Sequence, residues 1–167
     1  MLADKVKTPV EFLAHELGVA LTMEKTVQEL LLELRRKTRH EALEQQFRRH
    51  AEETIEHIAN LGRAFALLGT EPEEKPCLPI KAMQAQGKLN MKRTAGALMD
   101  DAIAGGVTQT EHYEIAVYEE LITFAEAMGR QDVAGLLHHN LAQEQQMLDD
   151  VKQSTGAIAR DTFGALP

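Results

Sequence analysis

Apolar residues recur every three or four positions over four long stretches of this 167-residue chain, and such a pattern leaves little choice but helices packed along one face. The first, helix A, opens at Thr8-Pro9-Val10-Glu11, where a capping Thr, a Pro at the first helical position and a Glu at the third make a helix start. Its stripe is Leu13, Leu17, Ala20, Val27, Leu31 and Leu34, and it runs to about Lys37. Thr38-Arg39-His40-Glu41 repeats the capping-box pattern and opens helix B, with Leu43, Phe47, Thr54, Ile58, Leu61, Phe65 and Leu68 on one face and Gly69 and Pro72 at its end. Helix C carries Met99, Ile103, Val107, Tyr118, Leu121, Ala125 and Met128 and closes at Gly129. Helix D runs from about Asp132 to Lys152 over Val133, Leu137, Leu141, Leu148 and Val151.

Residues 70–95 contain Pro72, Pro76, Pro79 and Gly87, so they read as a long connection with at most a short helix near Ile80 to Gln86. A connection of that length can cross the bundle from end to end. The expectation is an all-α chain: an antiparallel four-helix bundle over residues 1–154, a long crossover between the second and third helices, and a C-terminal tail over 155–167. No strand pattern competes.

Acidic side chains interrupt these stripes. The spacing of helix A through Leu13, Leu17 and Ala20 lands on Glu24, and that of helix D through Leu137 and Asn140 lands on Glu144. Helix C holds two, because Val107, Glu111, Glu114, Tyr118 and Leu121 form one line. Glu53 lies at the margin of helix B's stripe, about 100° from Thr54, between His50 and His57. Glu24 and Glu53 straddle the A/B turn, and Glu114 and Glu144 straddle Gly129, at separations of 29 and 30 residues, so each hairpin carries an acid pair at mid-height. Met23-Glu24-Lys25-Thr26-Val27 is echoed at Tyr113-Glu114-Ile115-Ala116-Val117, which implies two similar hairpins.

Several ionised carboxylates in one buried layer repel each other, and each costs several kcal/mol unless compensated. Two adjacent divalent cations compensate such a set, and oxygen-rich ligation with an imidazole suits iron or manganese. His57, one turn after Glu53, is the first candidate imidazole and His50 the second; either also reads as a polar residue at the core's edge. Glu111 reads equally as the end of a helix-start capping box with Thr108. Tyr118 can hydrogen-bond a ligand or simply pack, and His138 and His139 point apart and read as surface residues.

The remaining composition removes other classes. A lone Cys77 excludes a disulfide framework and any cysteine-rich metal site, and fits a reducing cytoplasm. A net charge of -8, with no Trp and 4% aromatic residues, disfavours a nucleic-acid partner. No apolar run approaches the ~18 residues of a membrane span, and Asp4, Lys5, Lys7 and Glu11 break any signal-peptide core. No Gly-rich phosphate loop or Ser/His/Asp constellation can be placed, so catalytic residues stay unassigned.

The string Glu111-His112-Tyr113-Glu114-Ile115-Ala116-Val117-Tyr118, with His50-x-x-Glu53-Thr54 and the late Glu144, resembles the YciE/YciF family of ferritin-like bacterial stress proteins over residues 9–151. The resemblance implies a rubrerythrin-like bundle, a homodimer and a di-metal centre, with Glu111-x-x-Glu114 similar to the third-helix pair of rubrerythrins. Glu24, Glu53 and Glu144 then fall where other helices supply ligands. The ferritin-like Glu-x-x-His signature is absent, because Glu56 follows Glu53 and Met147 follows Glu144. The expected function is a cytoplasmic stress protein whose two iron or manganese ions, held by Glu24, Glu53, His57, Glu111, Glu114 and Glu144, react with peroxide or dioxygen by way of an unidentified electron donor. The alternative is a structural stress protein whose acidic site is empty.

Overall fold

In the computed structural model, which describes residues 5–164, the chain forms five α-helices and a single 3-10 turn at Gly96–Leu98. Helices α1 (Pro9–Lys37), α2 (Glu41–Leu68), α4 (Met99–Ala127) and α5 (Gln131–Phe163) make the bundle. Helix α3 (Leu78–Arg93) lies in the crossover and packs on α1 and α4. At 29 residues, α1 is about 43 Å long. The chain ascends α1, descends α2, is carried back to the top by the crossover, descends α4 and ascends α5. Contacts at both ends register this course: Asp100 of α4 meets the α1/α2 turn, and Arg130 donates to the Leu67 carbonyl at the foot of α2. The fold is the expected ferritin-like four-helix bundle.

The local signals explain the ends. At Thr8 both halves of the capping box form: Glu11 N–H donates to the Thr8 hydroxyl, and Thr8 N–H donates to the Glu11 carboxylate. Gly69 and Gly129 end α2 and α4 with positive φ, which a side chain would strain. The capping box expected at Thr38 does not form. His40 stands at the N-cap without a side-chain bond, because the Thr38 hydroxyl donates to Asp100 Oδ1 at 2.6 Å and Arg39 N–H donates to the same oxygen at 3.0 Å.

Two helices exceed their expected lengths. Helix α3 runs 16 residues, continuing through Gly87, since Ile80, Met83 and Met91 carry its apolar face onto α1 and α4. Helix α5 continues to Phe163 where a tail was expected from 155, because Val151, Ser154 and Ile158 extend its buried stripe. Ser154 there accepts from and donates to the Gln46 amide of α2. Residues 165–167 of the expected tail lie outside the described residues. Among the described residues no helix is long and apolar enough to cross a membrane.

Candidate metal centre

The four bundle helices bury one line each, and polar residues meet where those lines reach mid-height. Helix α1 contributes Glu24, α2 contributes His50 and His57, α4 contributes Glu111 and Glu114, and α5 contributes Glu144; all six are buried. Glu144 stands between the two imidazoles. Its Oε2 lies 3.3 Å from His50 Nε2 and its Oε1 lies 3.0 Å from His57 Nδ1. Glu111 Oε1 is 3.6 Å from His50 Nε2, and Glu24 Oε1 is 3.4 Å from His57 Nδ1.

Ligand atoms of His50, Glu111, Glu114 and Glu144 lie within 4.8 Å of one another, and so do those of Glu24, His57 and Glu144. Glu144 therefore belongs to two adjoining groups. Neither carboxylate oxygen of Glu114 has a hydrogen-bond partner, and Glu24 and Glu111 each leave one oxygen without one. Burial makes such orphaned oxygens costly, and a hard cation is a partner that takes several at once.

A polar belt closes the Glu24 side. The Tyr118 hydroxyl donates to Glu24 Oε1 and accepts from Asn140 Nδ2 at 3.0 Å. Asn140 also donates to the His57 carbonyl, and Asn60 donates to Asn140 Oδ1 at 2.7 Å.

The electrostatics follow from this crowding. Burial raises the Glu111 and Glu114 carboxyls well above the usual range, and the charge on Glu144 adds to it. Burial also raises Glu24, against the pull of His57. Glu144 goes the other way: burial opposes its charge, but two imidazoles beside it hold its carboxyl down. Burial works against both imidazoliums, yet Glu144 outweighs it at His50 and Glu24 with Glu144 outweigh it at His57, so each rises to about 10.

Of the residues expected in the site, the structure brings together Glu24, His57, Glu111, Glu114 and Glu144. Glu111 is buried mid-helix in α4 and forms no capping box. Glu53 is not among them. It sits on the outer side of His50 with its side chain 19% exposed, Oε2 on His50 Nδ1 at 3.1 Å and Oε1 on Arg49 at 3.3 Å. His50, ranked second in the sequence, takes its place. The imidazoles that the missing Glu-x-x-His signature would have supplied come instead from either side of Glu53.

With this geometry in hand, residues 8–163 match the family described as Domain of unknown function (DUF892). The chain belongs to the DUF892 family. Its relatives include Protein YciF of Escherichia coli strain K12, 30% identical over 162 residues and 92% of each chain. The crystal structure of the E. coli stress protein YciF superposes with a TM-score of 0.87 at 25% identity, over 93% of this chain and 99% of that one. YcfI of Rhodopseudomonas palustris gives a TM-score of 0.87 at 27% identity, over 91% and 98%. The resemblance carried by Glu111 to Tyr118 thus holds across the whole DUF892 match, α3 and the far end of α5 included.

Proposed function

We propose that this DUF892 protein is a stress protein whose buried layer holds two divalent cations, iron or manganese, and reacts with peroxide or dioxygen. The observation that carries this reading is Glu114, a fully buried carboxylate with no hydrogen-bond partner on either oxygen, beside three more acids. One cation suits His50, Glu111, Glu114 and Glu144; the other suits Glu24, His57 and Glu144. The mixed oxygen and imidazole donors fit iron or manganese. A redox-active metal pair held by these residues would supply the electrons that reduce an oxidant. The chain's own residues do the rest: Glu144 ties the two positions together, Tyr118 steadies Glu24, and the apolar residues of the four stripes keep water out. The resemblance and the buried Cys77 favour a cytoplasmic homodimer, with neither nucleic acid nor membrane as partner.

A purely structural stress protein is the second reading, and one observation favours it: His50 and His57 lie close enough to Glu144 to neutralise charge without a cation. Elemental analysis of protein purified without added metal separates the two. Close to two iron or manganese ions per chain supports the centre, and none after reconstitution with either metal leaves the structural role.

A further inference from the structure

Each imidazole of the buried layer is gripped from behind by a residue outside the layer. Behind His50 stands Glu53, whose Oε2 lies 3.1 Å from Nδ1. A carboxylate only accepts, so Nδ1 carries the hydrogen and Nε2 is the nitrogen turned toward Glu111 and Glu144. Glu53 is itself fixed, because Arg49 holds its other oxygen and also donates to Asp150 of α5 at 2.6 Å.

Behind His57 stands Gln143, whose Oε1 lies 2.8 Å from Nε2. The opposite end of that amide settles which atom faces the ring. Gln143 Nε2 donates to Glu56 Oε2 at 3.4 Å, and Glu56 is paired with His139 at 3.2 Å. The amide oxygen must then face His57, so His57 Nε2 carries the hydrogen and Nδ1 is left for Glu24 and Glu144. His50 Nε2 and His57 Nδ1 are also the two ring nitrogens in the layer without a hydrogen-bond partner.

We infer that Glu53 and Gln143 are positioning residues that lock the two imidazoles in opposite tautomers, presenting Nε2 of His50 and Nδ1 of His57 to two unequal cation positions. This rests on the two-cation reading above. The inequality comes from the charges: a carboxylate behind His50 makes that ring the stronger donor, whereas a neutral amide stands behind His57. The position of His50 also has Glu111, Glu114 and Glu144, so it fills first.

The test uses the full chain, with Mn2+ titrated into metal-free protein by calorimetry and Zn2+ as a diamagnetic probe for imidazole 15N spectra. The wild type is expected to bind in two resolved stages, with the zinc-loaded protein showing N–H at Nδ1 of His50 and at Nε2 of His57. Glu53→Ala weakens the tighter stage by about 10–100-fold and Gln143→Ala the weaker stage by about the same factor. Glu53→Gln, which keeps an accepting oxygen, retains the His50 tautomer and falls between wild type and Glu53→Ala. Gln143→Glu tightens the weaker stage, a gain that loss of packing does not produce. Wild-type protein that takes up no Mn2+ or Zn2+ overturns the two-cation reading and this inference with it. Two bound cations together with unchanged affinities in both alanine variants, or with the opposite tautomer at either ring, overturn this inference alone.

Discussion

Adding Mn2+ to the metal-free protein at neutral pH expels protons from the buried layer, and their number follows from charge balance. Without a cation, His50 and His57, both raised to about 10, hold their protons at pH 7, and their two positive charges call for two ionised carboxylates in the layer, Glu144 among them. Charge balance then leaves the other two carboxyls protonated, and burial with the charge on Glu144 pushes Glu111 and Glu114 toward that form. With two divalent cations bound, neutrality is restored by four carboxylates and two neutral rings, so four protons must leave: one from each imidazole and one each from Glu111 and Glu114. Four protons for two cations means that overall affinity rises by about 10,000-fold per pH unit near neutrality, or about 100-fold per cation. Protons compete with the cations, so acid weakens binding and alkali strengthens it. Calorimetry in buffers of differing ionisation enthalpy counts the protons directly. A release of two or fewer would refute the neutral-layer argument, because the imidazoles alone account for that many.

Chelator-treated protein melts at a falling temperature as pH rises from about 6.5 toward 10. The two raised imidazoles contribute stability that is complete below the unfolded value and lost through the folded one; a flat profile by circular dichroism would count against their pairing. Glu111 and Glu114 add to the same trend from lower pH, since a raised carboxyl destabilises once pH passes its unfolded value. Glu114→Ala abolishes one bound cation yet leaves the metal-free protein melting at least as high, because the substitution removes a buried carboxylate with no partner; a large drop in the melting temperature would show that Glu114 has a structural partner. Asn140→Ala, which strips partners from Tyr118 and Asn60, costs about 1–3 kcal/mol in denaturant unfolding. Gly18→Ala destabilises by about 1–3 kcal/mol, since a methyl there overlaps the Glu73 carbonyl, while Gly62→Ala, with open space around it, stabilises by about 0.5–1 kcal/mol; equal signs for the two would refute the steric account.

The bundle was legible because its information is local. Three-four spacing and caps located α1 and the C-terminal ends of α2 and α4 to within about a residue, as Thr8, Gly69 and Gly129 show. The differences arise where a residue type carries a general meaning that tertiary packing overrides. Gly87 reads as a breaker, but α3 continues through it because Ile80 and Met91 on either side are buried against the bundle. Helix α5 was expected to end near Lys152, but Ser154 finds a partner on α2 and stays buried, and the helix continues past it. Thr38 reads as a cap, but Asp100, which takes its hydroxyl, comes 62 residues later and only the fold brings it near.

The acids of the site were legible for a related reason: a glutamate inside an apolar stripe contradicts its neighbours, so it announces itself. A histidine contradicts nothing. On α2 the line through Thr54 can be continued by Ile58 or by His57, and the two choices differ by about 100° of rotation. The structure selects Phe47, His50, Thr54, His57 and Leu61, all buried, and leaves Ile58 at the edge. That same rotation takes Glu53 out of the layer. Its height was read correctly from its distance to the A/B turn, but its face was not. The internal echo between the hairpins misleads here too, because it suggests that α2 supplies a carboxylate as α5 does. Two hairpins each giving a mid-height acid pair would crowd anions without relief. With α2 supplying His50 and His57 on either side of Glu144, each imidazole faces acids from two other helices, and the layer can hold its charge either as protons or as cations. The asymmetry of α2 is what makes four buried glutamates tolerable in a folded chain, and Gln143, 86 residues from His57, belongs to that arrangement through the fold alone.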